Sequence, residues 1–339
     1  MIGKRKNIVW LLSLGLVILG FNGYGQQQTF TQYYLNLPSV NPGFTGMEPY
    51  LDVKSAFRQR WNGFEDKNNS IYLSGYASLG RTSPTVFKNN SLRISSPEAY
   101  DKVANSGSLK RMHGIGGMVT SQTVGPFKSM SANVNYAYHL PLSRSLSLSM
   151  GTGVRYINYD VNLDGYTFRE ESDPFIDRLK GSNGGRLQQF VGDFGIALYS
   201  DKFYMGFSSA NLVSENMSGG ELLQLDRDVS YHALVGIQID LGPIINFYPG
   251  GRLSYSDLHG VTWEANARIR YSKMIYLGLA YENDVKASLL FGLTFENRYS
   301  INYSYDYYFN ELKEFTTGNH EFTLGIAIFN KYSTPARLW

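Results

Sequence analysis

The chain has 339 residues, no cysteine, 17% charged and 15% aromatic residues, and a formal net charge of +3. The charged share is low against the roughly one quarter usual in soluble domains, and the near-balance excludes an acidic tail or a dominant basic face for nucleic acid. The absence of cysteine excludes disulfides, thiolate metal sites, thiol nucleophiles and lipid attachment through Cys.

Lys4, Arg5 and Lys6 precede an apolar run from Ile8 to Phe21, followed by the small residues Gly23 and Gly25. The run is shorter than the about 20 residues a spanning helix needs. A basic start, a short greasy middle and small residues after it read as a secretory signal peptide over residues 1–25, cleaved before Gln26. Residues 26–49 are not strand-like. Asn41-Pro42 within them fixes an extended or turn geometry; it is placed as a turn leading into the strands that follow or as a lumen plug, with a binding role as the alternative.

From about residue 50 onward, apolar and polar residues alternate in segments of about ten. Met130, Ala132, Val134, Tyr136 and Tyr138 share one face, with Ser129, Ser131, Asn133, Asn135 and His139 on the other. Trp263, Ala265, Ala267, Ile269 and Tyr271 alternate in the same way with Glu264, Asn266, Arg268 and Arg270. Period two puts a greasy face opposite a polar one. About fourteen such segments begin near Tyr50, Ser70, Gly114, Lys128, Ser145, Phe190, Phe203, Arg227, Asn246, Val261, Met274, Ala287, Tyr299 and His320. Short connections (PLSR, SDK, LGPI, SK, NR) alternate with longer polar ones (GFEDKNN, 160–189, 213–226, 310–319), the pattern of a transmembrane β-barrel. A soluble β-sandwich also alternates, but here aromatics gather at the segment ends, as in membrane girdles, and Arg58, Arg155, Asp193, Glu264, Arg268, Arg270 and Asp306 suit a wet lumen. The expected fold is therefore all-β: an outer-membrane barrel of about fourteen antiparallel strands over residues 50–329, with a tail at 330–339. Two connections break the pattern. The turn at Gly125-Pro126 is short at the long-loop end, and the stretch from Gly80 to Met112 is long at the short-turn end.

The sequence carries no catalytic signature. Its five histidines show neither H-x-x-x-H nor H-E-x-x-H spacing, no G-x-S-x-G elbow occurs, and GIGGMV at Gly114 opens a strand, where glycine reads as close packing. No metal, cofactor or catalytic residue is assigned, and the chain is read as non-enzymatic.

The stretch FTQYYLNLPSVNPGFTG, with Asn41, Pro42 and Gly46, resembles the N-P-A-x-x-G element that opens the PorP/SprF family of type IX secretion and gliding-motility proteins of the Bacteroidetes. FRQRWNGF resembles the family's Arg-x-x-Trp-x-Gly-Phe hairpin, matched by Arg58, Trp61, Gly63 and Phe64. TGNHEFTLGIAIF resembles its closing strand, where Gly318, His320 and Glu321 match Gly-x-His-Glu. The resemblance covers nearly the whole mature chain. It departs at Gly43, where Ala is usual, at residues 92–111, which look inserted, and in the ten-residue tail.

The resemblance implies an integral outer-membrane protein of a Gram-negative cell, in contact with outer-membrane lipid. It implies a component of type IX secretion or gliding that receives or anchors an exported, adhesin-type protein through its C-terminal sorting domain. It also implies contact with the periplasmic secretion or motility machinery. No nucleic-acid partner is expected. The loop 160–189, with Tyr166, Phe168 and Phe175 as aromatic anchors, is the candidate surface for the exported partner. The basic excursion around Lys102, Lys110 and Arg111 is the candidate periplasmic docking segment. A passive pore or hydrophobic-solute transporter is the alternative function.

Overall fold

The computed structural model describes residues 30–62, 68–79, 111–143, 145–163, 166, 177, 185–219, 228–309, 311–314 and 316–330. The leader 1–25, the excursion at 80–110 with Lys102 and Lys110, and Gly63, Phe64, Phe168, Phe175 and residues 331–339 lie outside that set.

Alternation along the sequence becomes a closed antiparallel barrel of fourteen strands. They are β1 (Leu51–Gln59), β2 (Asn68–Leu79), β3 (Met112–Val124), β4 (Phe127–Pro141), β5 (Ser147–Val161), β6 (Arg186–Tyr199) and β7 (Phe203–Gly219). There follow β8 (Ser230–Ile237, continued as Ile239–Asp240 past a break at Gln238), β9 (Ile245–Ser256), β10 (Gly260–Tyr271), β11 (Ile275–Glu282), β12 (Lys286–Phe295), β13 (Tyr299–Tyr308) and β14 (Asn319–Ile328). Each pairs with its neighbour in sequence, and β1 closes on β14 from Leu51↔Ile328 to Gln59↔His320. Closure leaves no unpaired edge and satisfies every strand within the wall, as hydrocarbon requires.

The two faces of the wall differ as the pattern demands. Leu73, Val134, Leu277, Leu289 and Leu324 all project outward and are more than half exposed. That is the expected surface of a wall solvated by lipid rather than water. Alternate positions point inward and are buried: Lys54, Arg58, Arg252, Glu264, Arg268, Arg270, Glu282, Lys286, Asp306 and Glu321. Among the described residues no helix is long and apolar enough to cross a membrane, so the crossing is made by strands.

Tight turns mark the periplasmic end. Ser272 and Lys273 both have positive φ (51° and 58°), as do Glu296 and Asn297 (54° and 51°). Two successive left-handed residues match the right-handed twist of a two-residue hairpin, which is why the chain reverses there so abruptly. The turn at Gly125-Pro126 is likewise short at the opposite end, Gly125 taking φ 55°.

The β6–β7 ladder is irregular at two places. Its register shifts between Gln188 and Gln189 and again at Asp193, where Asn211 takes φ 60°. Asp193 accepts the Asn211 backbone N–H at 2.9 Å and pairs with Arg155 at 3.0 Å, so side chains take over the bonding that the ladder drops.

Candidate functional site

The interior of the barrel is occupied by its own N-terminal segment. Residues 31–37 and 41–48 are buried, in two short 3-10 turns, Tyr33–Ser39 and Pro42–Phe44. This strap touches the wall near the long-loop end first, crosses the lumen, and leaves at the short-turn end to become β1. The inward charges, which alone would line a wet channel, are covered by it. Tyr33, Tyr34, Leu35, Leu37, Phe44 and Met47 form one cluster with Tyr199, Tyr204, Leu234, Tyr276 and Leu290 of the wall.

The first anchor is ionic. Glu321 on β14 accepts the backbone N–H of Thr31 at 2.9 Å and of Gln32 at 3.1 Å. Asp306 on β13 accepts from the Thr31 hydroxyl at 2.9 Å, from Arg58 at 2.8 Å, from Lys286 at 3.2 Å and from Ser288 at 2.7 Å. Lys286 also donates to the Thr31 hydroxyl at 2.6 Å. A carboxylate in a desolvated interior is stable only when opposite charges and donors surround it, and this cluster supplies both.

The middle of the strap is clamped by guanidinium groups. Arg268 lies 3.6 Å from the Tyr34 ring centre and Arg252 lies 4.8 Å from that of Tyr33. Asn266 donates to the Tyr33 hydroxyl at 3.0 Å and Tyr276 donates to Gln32 at 3.1 Å. A cation against the face of a desolvated ring contributes about 2 kcal/mol.

The second anchor is a cradle built on glycine. Asn41 donates through Nδ2 to the carbonyls of Ile196 (3.0 Å) and Phe207 (3.2 Å), while its Oδ1 accepts the Gly43 N–H at 2.8 Å. A Cβ at Gly195 would stand 2.0 Å from Asn41 Oδ1, one at Gly151 2.3 Å from Pro42 O, and one at Gly114 1.8 Å from Thr45 O. Gly114 and Gly151 let the strap backbone lie directly on the wall, and Gly195 makes room for the Asn41 side chain. The glycine in GIGGMV that makes this approach is Gly114, and it packs on the strap as well as within the sheet.

Wall side chains also read the strap's carbonyls. Asn135 donates to Pro38 O (3.1 Å), Ser208 to Val40 O (2.9 Å), Ser149 to Gly43 O (2.6 Å) and His139 Nε2 to Thr45 O (2.8 Å). A carbonyl can only accept, so His139 carries its proton on Nε2 and takes the Tyr199 hydroxyl proton on Nδ1 at 2.7 Å. Main-chain recognition of this kind is blind to side-chain identity at Val40, which is why sequence alone gives it no signal.

The residues singled out in the sequence thus fall in different places. Asn41, Pro42 and Gly46 are in the strap and cradle, with Gly46 at φ 71°. Arg58 and Glu321 meet in the ionic anchor at 3.9 Å. His320, next to Glu321, faces outward and bonds the Tyr303 hydroxyl at 2.8 Å. Gly318 takes φ 115° just before β14, with its carbonyl held by the Asn62 N–H at 3.2 Å. Trp61, at φ 48°, donates its backbone N–H to Asn319 at 2.9 Å. Tyr166 stands in the β5–β6 connection, its N–H donating to Leu163 O at 3.2 Å. Arg111 is exposed at the start of β3. Sequence reasoning passed over Thr31, Gln32, Tyr33, Tyr34 and Lys286. Among the described residues no cluster of His, Asp and Glu is placed to hold a metal ion.

A closed, outward-greasy antiparallel barrel with charged residues turned inward is an integral outer-membrane protein. Residues 22–326 match the family described as "Type IX secretion system membrane protein PorP/SprF", and the chain belongs to that family. No curated protein matches it. Among solved structures, a Pseudomonas aeruginosa FadL homologue aligns at 10% identity and TM-score 0.48, covering 90% of this chain and 99% of its own. The Acinetobacter baumannii outer membrane protein Omp33 aligns at 8% and 0.45, covering 84% and 100%. The Pseudomonas putida toluene transporter TodX aligns at 11% and 0.41, covering 89% and 93%. The chain is therefore an outer-membrane component of a type IX secretion system, in a family of secretion membrane proteins rather than a known enzyme class.

Proposed function

We propose that this barrel is a non-enzymatic scaffold that receives or anchors a specific exported protein at the cell surface, rather than a passive pore. The observation that carries the reading is the strap. It crosses the lumen, is bonded to the wall at both ends, and fills the space a solute would need. A filled barrel acts through its surfaces. The exported partner is taken by the loop between β5 and β6, where Tyr166, Phe168 and Phe175 supply aromatic anchors. The periplasmic machinery is met by the basic excursion before β3, with Lys102, Lys110 and Arg111, which suits an acidic partner surface.

The test is a tagged pull-down from gently solubilised outer membrane, read by mass spectrometry, alongside conductance in planar bilayers. A large exported protein recovered with a non-conducting barrel is the expected result. A barrel recovered alone that conducts, or passes hydrophobic solutes, overturns the reading in favour of a channel. Deleting residues 164–184 should leave the barrel assembled and release the partner to the medium. Retention of the partner would remove that loop from the account. Charge reversal of Lys110 and Arg111 should abolish recovery of periplasmic partners, and unchanged recovery would count against docking there.

A further inference from the structure

Four lumen carboxylates, Glu264, Glu282, Asp306 and Glu321, are set toward the extracellular end, where Arg252, Lys286 and Arg58 pair with them, while Glu48 and Asp52 lie near the exit of the strap. Arg270 lies nearer the other end, one residue before the end of β10, with its guanidinium 4.9 Å from the ring centre of Tyr248. There a cavity of about 20 Å³ opens between the exit of the strap and strands β10, β12, β13 and β14. Its walls include Arg270, Arg298, Thr294, Asn297, Ser300 and Asp52.

Three features of this cavity point the same way. First, its polar lining combines two guanidinium groups, the hydroxyl-bearing Tyr50, Thr294, Tyr299 and Ser300 and the amide of Asn297 with one acid, Asp52, which is paired with Lys54. Second, the Ser300 hydroxyl is buried and has no hydrogen-bond partner among the described residues, although the residue is only 4% exposed. A buried hydroxyl left without a partner is costly, so a ligand oxygen there is favoured. Third, Arg298 is exposed at the rim, in the turn from β12 to β13, and makes no ion pair with any described residue. The enclosed space takes about one water-sized group, so one oxygen of a larger group enters and the rest stays at the mouth.

We propose that this pocket at the periplasmic mouth is a phosphate-binding site, with Arg298 as the capturing cation, Arg270 as the buried countercharge and Ser300 as the inner donor. Guanidinium forks from β10 and from the β12–β13 turn, with a hydroxyl at the start of β13, suit a group with several acceptor oxygens. The phosphate is either a free ion or the headgroup of a lipid whose chains remain in the inner leaflet.

The site is tested on the full-length barrel in detergent, titrated with inorganic phosphate at constant ionic strength and followed by calorimetry, with acetate in parallel. Saturable phosphate binding is expected, with Arg298→Gln weakening it by about tenfold or more and Ser300→Ala weakening it less. Arg298 is exposed, so its variant should keep the wild-type heat-modifiable mobility. A second arm reconstitutes the barrel into phosphatidylglycerol vesicles and counts retained lipid by native mass spectrometry. Lipid held by the wild type and lost from Arg298→Gln, without affinity for free phosphate, supports the site and assigns the headgroup as its source. Binding in neither arm, acetate binding as tight as phosphate, or binding indifferent to both substitutions overturns the proposal. None of these outcomes bears on whether an exported protein is anchored outside.

Discussion

Glu321 accepts the backbone N–H of Thr31 across 290 positions of sequence, at 2.9 Å. Its other oxygen takes the next N–H, that of Gln32. A single carboxylate on the last strand therefore holds the beginning of the strap by its main chain. Glu321→Ala leaves two buried donors without acceptors and removes a partner of Arg58, a loss of about 3–5 kcal/mol. The measurement is protease protection of residues 30–50 in barrels that keep wild-type heat-modifiable mobility. Cleavage should rise sharply in Glu321→Ala and less in Glu321→Gln, which keeps one acceptor oxygen.

Asn41 tests direction of hydrogen bonding without change of shape. Its Nδ2 donates to two strand carbonyls. In Asn41→Asp the Nδ2 position holds an oxygen facing two carbonyl oxygens, while the Gly43 N–H still bonds the other carboxylate oxygen. Destabilisation by about 3 kcal/mol or more is expected, read as a lower urea midpoint for strap release. An unchanged midpoint would mean that the Asn41 contacts contribute nothing.

The glycine cradle makes a steric prediction. Gly151→Val places carbon atoms where Pro42 and Gly43 now lie, so the strap should be expelled while strand pairing survives. Conductance should rise from near zero to open steps. Gly242→Ala is the control, since a Cβ there meets nothing within 4 Å, and it should leave the barrel closed.

Tyr34 separates ring from hydroxyl. Tyr34→Phe keeps the face under Arg268 and should cost about 1 kcal/mol or less. Tyr34→Leu removes the ring and should cost about 2–4 kcal/mol, seen as lowered thermal stability of the strap-docked form.

The wall was legible because its signal is local. Each strand faces two solvents, so alternation at Met130 to Leu140 or Trp263 to Tyr271 is written into neighbouring residues, and every expected strand start lies within a few residues of the observed one. The strap was legible only in part. Asn41-Pro42 announces a turn, and it is one, with the Asx bond to Gly43. What the turn rests on cannot be read nearby, because Gly151 and Gly195 are glycine for the sake of Pro42 and Asn41, more than a hundred residues away. Tyr33 and Tyr34 look like ordinary aromatics until Arg252 and Arg268 stand beside them. His320 and Glu321 show the limit of reading motifs as units. Adjacent residues on a strand face opposite sides, so one serves the membrane surface and the other the interior.

The anchors of the strap are drawn from both halves of the chain. Asn41 to Thr45 bind strands β4 to β7, whereas Thr31 and Gln32 bind β13 and β14, the last two strands of the barrel in chain order. A nascent barrel can seat the lower half of the strap early but cannot finish until its final strand arrives, the same strand that zips against β1. Completion of the cylinder and sealing of its bore are then a single cooperative event. A chain cut short before β14 fails at both together, leaving an unzipped edge and a loose leading end for periplasmic proteases to find.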